Sequence, residues 1–258
     1  MSNGRRVTGF GAALVVVAVV IVAFVVRPGS APVPVTGAQA IAIVQAFDPQ
    51  ATGLAVTGTQ TLPGGPAFSV ESKDVSAVVD VATGRILSFL DFTAMPVPTG
   101  APSATMTGAQ ALKAATSYLL GHAVSIEGLQ PAVEFLDHGD TQEYAVTWTG
   151  HIGGVRVPTN VQVSVDPATG NVYGFLQFTR SYASPPTPKL TVDEAAGAAR
   201  ALLRDPGAKV TASDLAIAFD AVGNQILAWQ LDLTLSDGFF AKVQVDALTG
   251  SSVVTARG

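Results

Sequence analysis

The hexapeptide Val165-Asp166-Pro167-Ala168-Thr169-Gly170 decides the fold. Near copies of it stand at Val79-Asp80-Val81-Ala82-Thr83-Gly84 and Val245-Asp246-Ala247-Leu248-Thr249-Gly250. Its physical reading is a hairpin turn. A strand ends at the aspartate, whose carboxylate accepts from a backbone N–H two residues on. The glycine, lacking a Cβ, takes a left-handed conformation at little steric cost. A new strand then begins at Arg85, Asn171 or Ser251. Each turn offers a single carboxylate, whereas calcium takes about six to eight oxygens, so no metal is expected there.

Upstream of each copy lies a second marker. Thr36-Gly37-Ala38-Gln39, Thr107-Gly108-Ala109-Gln110 and Thr191-Val192-Asp193-Glu194 fit the capping box, with Thr at the N-cap and Gln or Glu three residues on. Apolar residues follow at helical spacing: Ala40, Ile43, Val44 and Phe47; Ala111, Ala115, Tyr118 and Leu119; Ala195, Ala198, Ala199 and Leu202. The helices are expected to stop at Asp48-Pro49, at Gly121 and at Asp205-Pro206-Gly207.

Between marker and turn the pattern changes to short β-prone runs. "LAVTGTQTL", "AFSVES", "VSAVVDV" and "RILSFLDF" belong to the first unit, "YAVTWT", "VQVSVD" and "VYGFLQF" to the second, and "LAWQLDLTL", "AKVQVDA" and "SSVVTA" to the third. Each unit therefore reads as one helix followed by about four antiparallel strands, an α+β arrangement in which the helix covers the sheet's apolar face. Pro/Ser/Thr-rich stretches separate the units. The expected organisation is a tail over 1–6, a transmembrane helix over 7–26, a linker over 27–35, and units over 36–92, 107–179 and 190–258. Connections over 93–106 and 180–189 join them.

The membrane assignment rests on "VTGFGAALVVVAVVIVAFVV", Val7 to Val26, which carries no charge. At about 1.5 Å per residue a helix of that length spans a hydrocarbon core of roughly 30 Å. A cleaved signal peptide is the competing reading. Its apolar run would be shorter, and Pro32 directly after Gly29-Ser30-Ala31 disfavours cleavage. Arg5 and Arg6 precede the span and a lone Arg27 follows it, which puts the N-terminus in the cytoplasm and the rest of the chain outside. The net charge of −5 and the absence of any basic run argue against a nucleic-acid partner.

The combination "TGAQA…VDVATGRI", "TGAQA…VDPATGNV" and "TVDEA…VDALTGSS" resembles the PepSY module of metallopeptidase propeptides and bacterial envelope proteins. That resemblance implies three PepSY-like units that bind or inhibit a peptidase or modulate an envelope partner. A fainter similarity of layout is to single-pass regulators beside envelope sensor kinases.

Chemistry-bearing motifs are sparse. The chain has no cysteine, which excludes disulfides, thiolate metal sites and cysteine nucleophiles. His122, His138 and His151 are spaced too widely for a helical metal motif. His122 follows Gly121, where a cation suits a helix C-terminus, and His138 lies in a polar turn between Asp137 and Asp140. No nucleophile elbow, phosphate loop or dinucleotide fingerprint is present. Trp148 and Trp229 fall on corresponding strands of the second and third units and are expected in the core. No catalytic residue, metal or cofactor is expected. The function expected is binding and regulation outside the membrane, with a hydrolase whose site lies between units, or a passive structural envelope protein, as alternatives.

Overall fold

In the computed structural model, which describes residues 33–96, 105–139, 141–220 and 223–258, all three capping boxes close. They start helices α1 (Gly37–Phe47), α2 (Gly108–Gly121) and α3 (Val192–Leu203). In each, the threonine hydroxyl accepts from the N3 backbone at 3.3 Å, and the N3 side chain accepts from the threonine N–H at 2.8 Å. A box of this kind stabilises its helix by about 1 kcal/mol. The anticipated faces are buried through Ala40 and Val44, through Ala111, Ala115 and Leu119, and through Ala195 and Ala199. Alanine at these places lets the helix axis lie close to the sheet. Leu202 departs from the expectation and stays exposed.

Four strands follow each helix: β1 (Ala55–Leu62), β2 (Gly65–Glu71), β3 (Val75–Asp80) and β4 (Ile86–Asp91) after α1; β5 (Leu129–Asp137), β6 (Gln142–Ile152), β7 (Val155–Val165) and β8 (Val172–Thr179) after α2; β9 (Lys209–Phe219), β10 (Gln225–Thr234), β11 (Phe240–Asp246) and β12 (Ser252–Arg257) after α3. The chain is thus a mixed α+β protein. Strand β5, where Leu129, Pro131, Val133 and Phe135 alternate with Gln130, Ala132 and Glu134, was not among the β-prone runs read from the sequence. Among the described residues it pairs only with β6, and it leaves nearly all its side chains exposed and tolerates Pro131.

The strands do not form three separate sheets. Successive strands of each set pair antiparallel, β4 pairs antiparallel with β8, and a parallel bridge at Arg156 and Ala216 joins β7 to β9, so all twelve strands belong to one sheet. Residues 33–258 accordingly make one compact unit. Among the described residues no helix is long and apolar enough to cross a membrane; the apolar run Val7–Val26 lies outside them.

The β4–β8 seam has local two-fold symmetry. Ser88 pairs with Leu176, Phe89 with Phe175 and Leu90 with Gly174. Phe89 and Phe175 each stand nine residues after their own turn aspartate, so the axis passes between two equivalent side chains. Phe47 and Tyr118, each eleven residues after its N-cap threonine, meet across the same axis with ring centroids 6.1 Å apart. One core, containing Val44, Ala111, Leu119, Phe89 and Phe175, therefore runs beneath both α1 and α2. A separate cluster lies beneath α3.

The two sequence markers occur together because they touch. In each turn the residue after the aspartate accepts backbone hydrogen bonds from the chain just before the helix. Val81 O takes the Val35 N–H at 2.7 Å, Pro167 O takes those of Thr105 and Met106 at 3.2 Å, and Ala247 O takes those of Lys189 and Leu190 at 2.9 and 3.0 Å. The turn itself is tied by its aspartate. Asp166 Oδ1 accepts from Ala168 N–H at 2.9 Å, and Asp246 Oδ1 from Leu248 N–H at 2.8 Å. Asp80 Oδ1 instead takes Thr83 N–H at 2.6 Å. The hairpin is thus the dock on which the helix N-terminus is fixed.

An aromatic completes the dock. Phe68, Tyr144 and Trp229 pair with Val79, Val165 and Val245, so they occupy one register position in the three sets. Tyr144 Oη donates to Met106 O at 3.0 Å and Trp229 Nε1 to Leu190 O at 2.9 Å, in both cases to the residue preceding the cap. The counterpart of Trp229 is therefore Tyr144, while Trp148 lies deeper in the core at 3% exposure. Tyr144→Phe is expected to destabilise the protein by about 1 kcal/mol, the net worth of one such bond, and Trp229→Phe by more, because it also removes part of the indole packed against two core clusters. Thermal denaturation of the full-length chain would check this, with Phe68→Leu as a variant that loses no hydrogen bond.

Candidate binding groove

Alternation across the β4–β8 seam sorts side chains by face. Phe89 and Phe175 point to the helices, so Ser88, Leu90 and Leu176 point the other way. That reverse face carries no described helix: α1 and α2 bury their residues on the Phe89/Phe175 side, and α3 packs on β10, β11 and β12. The β1–β2 hairpin at Pro63-Gly64 and the turn residues Asp80 and Thr83 rise beside it and make it concave.

The result is a groove of about 470 Å³. Its apolar lining comes from Leu62, Val78, Leu87, Leu176 and Phe178. Leu176 is 45% exposed and Phe178 36% exposed, large for apolar side chains at the bottom of a concavity. Ser88 and Thr179 supply hydroxyls, and Arg85 supplies the one cation of the lining. A shallower groove of about 310 Å³ continues it along the sheet, sharing Ser88 and Leu176 and reaching Gln162 and Ser164.

Arg85 is held rather than free to swing. Its Nη2 donates to Gln177 Oε1 at 2.6 Å, and the buried Gln177 donates in turn to Ile86 O. This chain crosses from β4 to β8, so the cation's position is set by the seam itself. The lining carries the Asp80 carboxylate as well as Arg85, so it is not cationic overall; its apolar floor and hydroxyls suit a short extended peptide with apolar side chains, and Arg85 is the point that attracts an acidic group.

On the helix side, the C-terminal ends of α1 and α2 flank a second cleft, of about 750 Å³, lined by Phe47, His122, Ser125 and Phe175 together with Arg85 and Gln177. His122 stacks on Phe47 with ring centroids 4.0 Å apart and meets Tyr118 at 4.5 Å. Burial lowers its pKa, against the opposing pull of the Asp48 carboxylate. The side chain stands at the C-cap of α2, where the sequence placed it, and its stacking on Phe47 is the contact that the sequence did not reveal. Burial likewise pushes the Tyr118 phenol far above its usual range, with Asp48 and Asp91 adding to it.

The other histidines stand apart. His138, in the β5–β6 turn, has Nε2 3.7 Å from Glu143 Oε1. Glu143 also accepts from Tyr173 Oη, and burial, reinforced by this carboxylate, raises the Tyr173 pKa. Asp137 is engaged by the Gly139 N–H at 2.9 Å and by Gln142 Nε2 at 3.1 Å, while Asp140 lies outside the described residues. His151 sits at the other end of β6, with Nδ1 3.3 Å from Thr149 O. Among the described residues no group of three or more His, Asp or Glu is placed to hold a metal ion. The turn aspartates Asp80, Asp166 and Asp246 are spent on their own loops.

Sequence reasoning did not find Leu176 and Phe178. The usable signal was "VYGFLQF", Val172 to Phe178, where Tyr173 and Phe175 alternate with Leu176 and Phe178 so that both faces of one strand are apolar.

No protein-family model matches the chain, and no curated protein matches it. Among solved structures it is similar to the Bacillus megaterium YpeB C-terminal domain, at 16% sequence identity, covering 86% of this chain and 98% of that one with a TM-score of 0.49.

Proposed function

We propose that this chain is a membrane-anchored, extracytoplasmic binding and regulatory protein of the bacterial cell envelope. It is composed of three PepSY-like units over 36–92, 107–179 and 190–258, and it acts on its partner by binding, not by catalysis. The partner is an envelope peptidase that it restrains or an envelope sensor protein that it tunes. An extended apolar segment of that partner lies in the β4–β8 groove with an acidic group toward Arg85.

The observation that carries this reading is the exposure of Leu176 and Phe178 in a concave groove beside a fixed cation. Apolar side chains so placed are stabilised when a partner removes them from water, by about 25 cal/mol per Å² covered. The anchor and the location outside the membrane rest on the Val7–Val26 run and the Arg5-Arg6 pair. The regulatory role rests on the three cap-and-turn pairs that resemble PepSY modules.

The test is crosslinking and quantitative mass spectrometry on membranes carrying the full-length chain, beside its Leu176→Glu variant and the Val7–Val26 anchor fused to an unrelated ectodomain. A peptidase or sensor protein is expected to be enriched at least tenfold by the native chain over both controls. Leu176→Glu lies on an exposed site and should leave stability within about 0.5 kcal/mol. Equal recovery by all three would contradict the proposal.

A further inference from the structure

The seam between the first two strand sets has a third, unpaired counterpart. Strands β4, β8 and β12 each follow the repeated turn, and each pairs on one side with the strand preceding that turn. On the other side β4 and β8 pair with each other, whereas among the described residues β12 has β11 as its sole neighbour. With three such edges in the chain, one is left over.

The residues on that edge match the ones the seam buries. Ala77, Val163 and Val243 occupy one register position, and their partners are Phe89, Phe175 and Val254. Phe89 and Phe175 cover each other and are 6% and 3% exposed; Val254, on the same face as the buried Val243, is 38% exposed. The helix repeats the contrast. Leu202 stands eleven residues after Thr191, as Phe47 and Tyr118 do after their own caps, yet it is 41% exposed where those two rings meet across the seam. Val253, next to Val254, is exposed as well. The third set thus presents, uncovered, the same strand edge and the same helical position that the first two sets bury against each other.

We propose that this face is a homodimer interface, in which β12 pairs antiparallel with β12 of a second copy of the chain, as β4 pairs with β8. The two-fold axis passes between the two copies of Val254, and the two copies of Leu202 close over it. The pairing strands lie apart from the β4–β8 groove, so the dimer does not depend on the proposed function. About this axis Val253 faces Thr255 of the second copy and Ser252 faces its Ala256; Thr255 is also the extra residue of the bulge that β12 makes against β11.

The absence of cysteine makes the test direct. Val254→Cys in the full-length chain, oxidised in membranes, should convert most of the protein to a reductant-sensitive species of twice the mass. Antiparallel partners at a two-fold lie within disulfide reach. Thr59→Cys, on the exposed edge strand β1, reports collision alone and should give no disulfide-linked species. In a second measurement, light scattering of the detergent-purified chain should give a dimer, and Val254→Glu should give a monomer with an unchanged circular dichroism spectrum. The proposal is overturned if the Val254→Cys thiol reacts with a maleimide while the chain stays monomeric. A disulfide adduct between that thiol and a different protein would overturn it as well.

Discussion

Replacing Phe175 with alanine is expected to lower the unfolding free energy by about 3–5 kcal/mol, the usual cost of emptying a buried phenylalanine site. Phe175 is 3% exposed, pairs with Phe89 across the seam and lies 6.1 Å from the Phe47 ring, centroid to centroid. Its removal opens a cavity where two strand sets and two helices meet, and the close-packed neighbours cannot all shift to fill it. For a unit of this size, each kcal/mol corresponds to about 2–4 °C of melting temperature, so a fall of roughly 6–20 °C is anticipated. Thermal circular dichroism on the full-length chain in detergent measures it. Leu176→Ala, one residue along on the opposite face, is the internal control, with an expected change below about 1 kcal/mol. Equal effects at the two positions would mean that the seam is not the core of the fold.

The second large effect is expected at the repeated glycine. Gly84, Gly170 and Gly250 have φ of +70°, +79° and +79°, a region in which a residue with a side chain costs of order 1–3 kcal/mol. Crowding then ranks the three. A Cβ at Gly170 would stand 2.8 Å from Met106 Cε; one at Gly84 would stand 3.2 Å from Ile43 Cδ1 and 3.3 Å from Val35 Cγ2; one at Gly250 would meet Leu190 Cδ2 at an ordinary 3.6 Å. Valine at Gly250 should therefore cost the backbone term alone, about 1–3 kcal/mol. Valine at Gly84 should cost more, because the β-branched Val35, the residue before a helix cap, has little freedom to give way; at Gly170 the crowding atom is the end of the flexible Met106 side chain, which can turn aside, so the cost should stay near that at Gly250. Chemical denaturation of the three variants gives the order. Equal losses would show that conformation alone, and not the dock, selects glycine.

These residues also show why part of the structure was legible in the sequence and part was not. The capping boxes and the turns are local: each is completed within six residues, so Thr36, Thr107 and Thr191 and the three aspartates announce their geometry directly. The contact between the two markers was not legible, because Val35 and Val81, or Leu190 and Ala247, come together only after a whole helix and several strands have folded. The β4–β8 register was hidden for a related reason. A strand's alternation reveals which face is apolar, but not which other strand lies beside it. The kinship of Tyr144 and Trp229 was masked by the difference in side chain and emerges only from their shared partners, Val165 and Val245. The helix-end position of His122 was legible locally, but its stacking on the ring of Phe47, 75 residues earlier in the chain, was not.

The groove was legible only in outline. "VYGFLQF" shows a strand apolar on both faces, yet the concavity beneath Pro63-Gly64 and the Arg85–Gln177–Ile86 chain depend on the seam. That dependence places the candidate site and the most stability-sensitive residues on opposite faces of the same two strands. A groove variant can therefore lose binding while the fold survives.

The most direct test of partner binding is a photo-crosslinking amino acid placed at Leu176 in the full-length chain, irradiated in native membranes. A matched probe at Ala42, on the exposed side of α1, serves as control. The expected result is a discrete adduct with one envelope protein from Leu176 and none from Ala42, with the adduct lost when Arg85 is replaced by alanine. The contradicting result is no adduct from Leu176, or the same adduct from both positions.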